Sequence, residues 1–265
     1  SAYHDRNRAL ASAELLMPVL NEKNVPSLAD KDEALSSLEI RDLNFSYPDS
    51  PVKVLHDIHQ RMPLKGLVLV KGISGSGKSP LLKICTGSLS PDEGIVSVNG
   101  KDNDWSHQWL KMNSSYMNQF PFIFDGTLRY NVFLEQEAGE MKVGDTRPGE
   151  KVTGEMRERY PEFLDKILSK KEEGWQTELS HNGKQLSGGE RQLVTLARMM
   201  LHPRPVAILD EPTANLDPET TGIILREIVK MAEERLVIVA SHENRFDDVA
   251  DTIVDLNWGE QMHHE

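Results

Sequence analysis

Apolar residues alternate with polar ones from Ser37 to Tyr47, at Leu38 and Ile40 and then at Leu43 and Phe45, until Pro48-Asp49-Ser50-Pro51 breaks the run. A period of two is the spacing of a strand with one buried face, so antiparallel β structure and a turn are expected here. Leu67–Val70 reads differently. Its four consecutive apolar residues suit a strand covered on both faces, as in a parallel sheet. Val206–Leu209 and Leu236–Ala240 repeat the type, and each run ends in polar residues at its carboxyl end, where open parallel sheets bind ligands.

Ile95–Val98 followed by Asn99-Gly100 predicts a strand and tight turn of the antiparallel part. Helical spacing is expected over Leu81–Cys85 and Gln192–Leu201. Between Phe120 and Gln185 the β-type runs stop, and charged helix-period segments take over, clearest at Glu155–Tyr160 and Phe163–Lys171. Glu135–Gly154, rich in Gly, Glu and Lys, predicts an exposed loop. At the start of the chain, Ala9, Leu10, Ala13, Leu16, Met17 and Leu20 recur at helical spacing until Pro18 disturbs them. A leader helix and polar linker are therefore expected over 1–36, ahead of a large domain over 37–265.

Composition narrows the classes. A chain of 265 residues can bury a sizeable core unaided. The single cysteine, Cys85, allows no disulfide framework and is expected as a buried packing residue. A net charge of -12 disfavours nucleic acid as a partner, since phosphate binding needs cations. No apolar run approaches the roughly 18–20 residues that a membrane span requires.

Gly72-Ile73-Ser74-Gly75-Ser76-Gly77-Lys78-Ser79 follows an expected strand and precedes an expected helix. In that context the pattern is a phosphate loop: glycines let backbone N–H groups turn inward, Lys78 reaches the β and γ phosphates of ATP, and the Ser79 hydroxyl binds Mg²⁺. Asp210 and Glu211 close the apolar strand Val206–Leu209. Asp210 suits a Mg²⁺ carboxylate, acting through water, and Glu211 a general base for the attacking water. Ser187-Gly188-Gly189 again combines small residues, N–H donors and a helix start. One γ phosphate thus has two places that could bind it.

Leu186-Ser187-Gly188-Gly189-Glu190, between the phosphate loop and Asp210-Glu211, resembles the signature of the ATP-binding-cassette (ABC) nucleotide-binding domain, and the resemblance runs from about Leu38 to Gly259. It implies an α/β fold: a P-loop, RecA-like core with an antiparallel β subdomain and an inserted helical subdomain at about 120–190. It implies head-to-tail dimerisation, homo- or heteromeric, in which Ser187 and Gly189 contact nucleotide on the other subunit's phosphate loop. Gln119 matches the glutamine loop that touches Mg²⁺ and water, and His242 matches the switch histidine. Asp217, in Ala214–Asp217, matches an acid that communicates across the dimer, and Tyr47 the aromatic that stacks on adenine.

The run Phe122–Leu128 resembles the exporter subgroup, as, loosely, does Thr177-Glu178-Leu179. The expectation is an ATPase at the cytoplasmic face of a membrane that drives a transmembrane partner on the same or a separate chain. Pro80 departs from the family, which has Thr or Ser there; it lacks the hydroxyl and N–H that would face the α phosphate. Two alternatives stay open: an importer-type ATPase, and a regulatory subunit that binds nucleotide with little turnover.

Overall fold

The computed structural model describes residues 33–48, 50, 52–102, 104–134, 157–169 and 171–256. The leader helix expected over the first residues and the loop Glu135–Gly154 fall outside them.

The first sheet is antiparallel. Strand β1 (Leu38–Ser46) lies between β2 (Lys53–Met62) and β4 (Glu93–Val98), so the three run in the order β2-β1-β4. Leu38, Ile40, Leu43 and Phe45 of β1 are all buried, because a left-handed Asp42 (φ 52°) and the register shift between Ile40 and Leu43 return the second pair to the buried face.

The second sheet is parallel and carries the site. Its order is β10 (Thr252–Asp255), β3 (Gly66–Lys71), β9 (Leu236–Ala240), β8 (Val206–Asp210), β5 (Ser114–Met117). Alternate residues of one strand enter two different cores, which is why these runs are apolar throughout. Leu67 and Leu69 join one core, and Val68 and Val70 the other. All four are at most 1% exposed, and such burial contributes roughly 1.5–3 kcal/mol per aliphatic side chain.

Helix α1 (Lys78–Cys85) follows β3 and packs Leu81, Leu82, Ile84 and Cys85 into the second core, beside Trp109 and Leu110 of α2 (Asp104–Asn113). Burial pushes the Cys85 thiol up to about 12, so it stays neutral and acts as packing. The first core takes the apolar faces of α3 (Leu128–Phe133), α4 (Pro161–Leu168), α5 (Gly188–Leu201) and α6 (Pro218–Glu234). Two-residue strands β6 (Gly126–Thr127) and β7 (Glu178–Leu179) pair antiparallel within the stretch where no β structure is expected from the pattern. The helix expected over Phe163–Lys171 ends at Leu168.

Strand β2 and helices α2 and α6 lie outside the elements read from the pattern. In β2, Lys53, His56, Asp57, His59 and Arg61 are exposed and only Leu55 and Met62 are buried. Because the sheet is parallel, the carboxyl ends of β3, β9, β8 and β5 emerge together, and the loops after them meet at one edge. No described helix is long and apolar enough to cross a membrane.

Candidate functional site

A cavity of about 610 Å³ opens at that edge, lined by Tyr47, Ser74, Gly75, Gly77, Lys78, Ser79, Pro80, Gln119, Asp210, Glu211 and His242 among others. Four strand ends supply most of it. β3 leads into the glycine loop, β8 ends at Asp210, His242 follows β9, and Gln119 follows β5.

The glycine loop is possible only with glycines. Gly77, at the N-cap of α1, has φ 95°, and a Cβ there would sit 2.5 Å from Leu55 Cδ2 and 2.9 Å from the Val54 carbonyl oxygen. A Cβ on Gly72 would lie 2.0 Å from Ser76 Oγ. Ser76 therefore turns its hydroxyl toward Gly72 and away from the cavity, where it has no hydrogen-bond partner. Gly72 and Ser76 shape the loop, whereas Ser74, Gly75 and Gly77 face the cavity.

Lys78 is 9% exposed; its Nζ donates to the carbonyls of Gly72 at 2.7 Å and Ile73 at 3.0 Å. Nζ also stands 3.9 Å from Glu211 Oε1. Pro80 occupies the third position of α1, buried, and the first hydrogen bond closing this helix runs from Leu81 N to the Gly77 carbonyl at 3.0 Å. Its missing N–H falls where a helix has no internal acceptor, so the proline fits without loss of a helical bond.

Glu211 begins the turn after β8 with φ 48°, a left-handed conformation uncommon for glutamate that costs roughly 1–2 kcal/mol. Its amide donates to the Ala240 carbonyl at 2.9 Å, which ties this turn to the end of β9. Glu211 is 8% exposed, and its carboxylate faces His242, whose Nδ1 is 2.9 Å from each carboxylate oxygen. Asp210 is 4% exposed, and its Oδ2 accepts from the Tyr116 hydroxyl at 3.1 Å. Burial first, then the Asp210 charge, pushes the Tyr116 phenol well above its ordinary value, so it remains a donor. Ser79, Gln119 and Asp210 thus bring three oxygen-bearing groups to one cavity, a donor set suited to a hard cation.

Tyr47 is 51% exposed and meets Phe45 edge-on, with ring centroids 5.3 Å apart. Its ring lines the rim of the cavity.

Ser187, Gly188, Gly189 and Asp217 do not line this cavity. Ser187 and Asp217 border a separate groove between α4 and the starts of α5 and α6. Ser187 caps α5: its Oγ accepts from Glu190 N at 3.2 Å, and Glu190 Oε2 accepts from Ser187 N at 2.6 Å. Gly188 borders another depression beside Gln119, Arg191 and Asn215, and a Cβ there would meet nothing within 4 Å. Gly189 packs instead against the first turn of α6, with Thr220 Cγ2 3.2 Å from a Cβ position. Asp217 caps α6, accepting from Thr220 N at 2.9 Å and the Thr220 hydroxyl at 2.7 Å.

Two neighbours of these residues carry no linear signal. Tyr116 is 94 positions from Asp210, and Lys171, whose Nζ donates to Glu190, is 19 positions from its partner. The pairing of β5 with β8 brings Tyr116 near Asp210, and nothing in the string Ser114–Met117 says what its hydroxyl touches.

Comparison with known proteins adds relatives to this geometry. The sequence profile of the ABC transporter family matches residues 55–214. A probable ABC transporter ATP-binding/permease protein of Haemophilus influenzae is 30% identical, across 95% of this chain and 44% of the relative. The glutathione/L-cysteine transport system ATP-binding/permease protein CydD of Bacillus subtilis is 31% identical, across 84% of this chain and 37% of its own length. Among solved structures, a bacterial Atm1-family ABC exporter with ATP bound superposes with a TM-score of 0.73 at 25% identity, across 96% of this chain and 43% of the exporter chain. The chain spans less than half the length of these relatives.

Proposed function

The chain belongs to the ABC transporter family, and on that premise we propose that it is the ATP-binding and ATP-hydrolysing domain of an exporter-type transporter, acting on Mg·ATP. The observation that carries this reading is the meeting of Lys78, Asp210, Glu211 and His242 in one cavity floored by the glycine loop. The curated relatives are ATP-binding/permease proteins, which favours a membrane partner, at the cytoplasmic face, over a free-standing ATPase.

On this reading the loop amides of Ser74–Lys78 and the positive end of α1 hold the phosphates. Lys78 exchanges its bonds to the Gly72 and Ile73 carbonyls for β and γ phosphate oxygens. Tyr47 stacks on adenine, and Pro80 sits nearest the α phosphate. Ser79, Gln119 and, through water, Asp210 would hold Mg²⁺, which would supply positive charge against the phosphate oxygens.

Glu211 takes a proton from the water that attacks the γ phosphorus, the bond to the bridging oxygen breaks, and ADP leaves as inorganic phosphate forms. His242 keeps Glu211 aimed through Nδ1 and turns its other ring nitrogen to the γ phosphate. The separation of Ser187, Gly188, Gly189 and Asp217 from the cavity favours their use in trans. A second copy or a homologue then supplies the outer half of the phosphate site, and closing of the pair drives the membrane partner.

Phosphate release by the purified chain tests this. Glu211→Gln should lower turnover at least about 100-fold while nucleotide still binds. Equal turnover in parent and variant refutes the assignment. One observation favours a second reading: Pro80 removes a hydroxyl and an N–H from the phosphate loop, as suits a regulatory subunit that binds ATP as a clamp. Tight Mg·ATP binding without phosphate release in the parent chain selects that alternative.

A further inference from the structure

β5 pairs with β8 in parallel register, Tyr116 opposite Ile208 and Met117 opposite Leu209, so the Tyr116 side chain stands two positions short of Asp210 on the neighbouring strand. Its hydroxyl reaches across and donates to Asp210 Oδ2 at 3.1 Å. Tyr116 does not line the cavity, and Asp210 does. The phenol is thus behind the carboxylate, holding one oxygen and leaving the other to the cavity.

We infer that Tyr116 is a positioning residue for the Mg²⁺ carboxylate: its hydroxyl fixes the orientation of Asp210 and thereby sets how tightly the divalent cation joins the bound nucleotide. This rests on the proposed assignment of Asp210 to Mg²⁺. The physical case is general. A carboxylate that must meet a cation in one orientation loses less freedom on binding when a neighbour already holds it, and removing such outer partners commonly weakens metal affinity about 10–100-fold. Tyr116 is half-buried, packed against the second core, so its ring is fixed independently of the hydroxyl. The same strand leads two residues later into Gln119, so one element supplies a group that touches the cavity and a group that orients its acid.

The test uses the whole chain in a Glu211→Gln background, where ATP persists, with a fluorescent ATP analogue titrated in Mg²⁺ and in EDTA. Tyr116→Phe keeps the ring and removes only the hydroxyl. The expected result is about a tenfold rise in the Mg²⁺ concentration at half-effect, with metal-free nucleotide affinity within about twofold of the parent. A melting curve confirms that the variant is folded at the assay temperature.

An unchanged Mg²⁺ midpoint overturns the inference, and so does an equal loss of affinity with and without metal, which would make the tyrosine a packing residue only. Asp210→Asn serves as the control. A shifted Mg²⁺ midpoint in Asp210→Asn beside an unshifted one in Tyr116→Phe defeats the role of Tyr116 alone. If Asp210→Asn also leaves the midpoint in place, the metal assignment of Asp210 falls, and the role of Tyr116 falls with it.

Discussion

His242 Nδ1 stands 2.9 Å from both carboxylate oxygens of Glu211, a rim imidazole gripping a buried acid. The glutamate side chain is 10% exposed and the histidine 62%, so the ring screens the carboxylate from bulk water while keeping its other edge open. His242→Ala removes the grip without touching the phosphate loop. Phosphate release should fall about 100-fold or more, with fluorescent nucleotide affinity within about twofold of the parent. Normal hydrolysis in the variant would dismiss the role.

Pro80 is buried at the third position of α1, where no helical hydrogen bond is lost, so replacing it should leave folding intact. Pro80→Thr restores a hydroxyl and an N–H beside the expected α phosphate. Each restored bond to a phosphate oxygen is worth about 1–3 kcal/mol. ATP should bind about tenfold tighter by calorimetric titration, and identical affinities would show that the proline costs nothing in binding.

Glu190 is held below the ordinary glutamate value: burial raises it, but hydrogen bonds from Lys171 and from Ser187 outweigh burial. The sign follows from the lowered folded-state value. The pair stabilises the fold above the unfolded value near 4.5 and is lost as pH falls through the lower folded value. Urea midpoints measured from pH 6 down to about 3 should therefore fall more steeply for the parent than for Glu190→Gln, which keeps the capping box without the charge. Parallel curves would remove the ion pair from the account.

The Lys171 side chain is 9% exposed, so Lys171→Met leaves the Glu190 carboxylate without its cation. A loss of about 1–3 kcal/mol is expected, because breaking one half of a shielded pair strands the other charge. Adding Glu190→Gln should recover most of it. Additive losses in the double variant would mean that the two residues do not act together.

The parts of this site that are contiguous in the chain were legible in the sequence. Gly72–Ser79 and Leu186–Glu190 each build a local shape from neighbours, and the runs Leu67–Val70, Val206–Leu209 and Leu236–Ala240 report burial on both faces directly. The parallel order of those strands then brings Lys78, Asp210, Glu211, His242 and Gln119 to one edge. Tertiary contacts were not legible. Nothing in the strings around Tyr116 or Lys171 says that one meets Asp210 and the other Glu190. The left-handed turn at Glu211 is equally silent, since glutamate carries no preference for positive φ and the Ala240 carbonyl that holds its amide lies on another strand. Strand β2 escaped the pattern because exposed His56 and Asp57 stand side by side, with Asp57 at φ 45°, which breaks the alternation between the buried Leu55 and Met62.

On the proposed function, one molecule's glycine loop and another's Ser187–Gly189 turn close on a single triphosphate. Sedimentation velocity of the Glu211→Gln chain with and without Mg·ATP tests it most directly. The expected result is a monomer without nucleotide, a species of twice the mass with it, and loss of that species in Ser187→Arg. A chain that remains monomeric at saturating Mg·ATP, or a dimer untouched by Ser187→Arg, would contradict it.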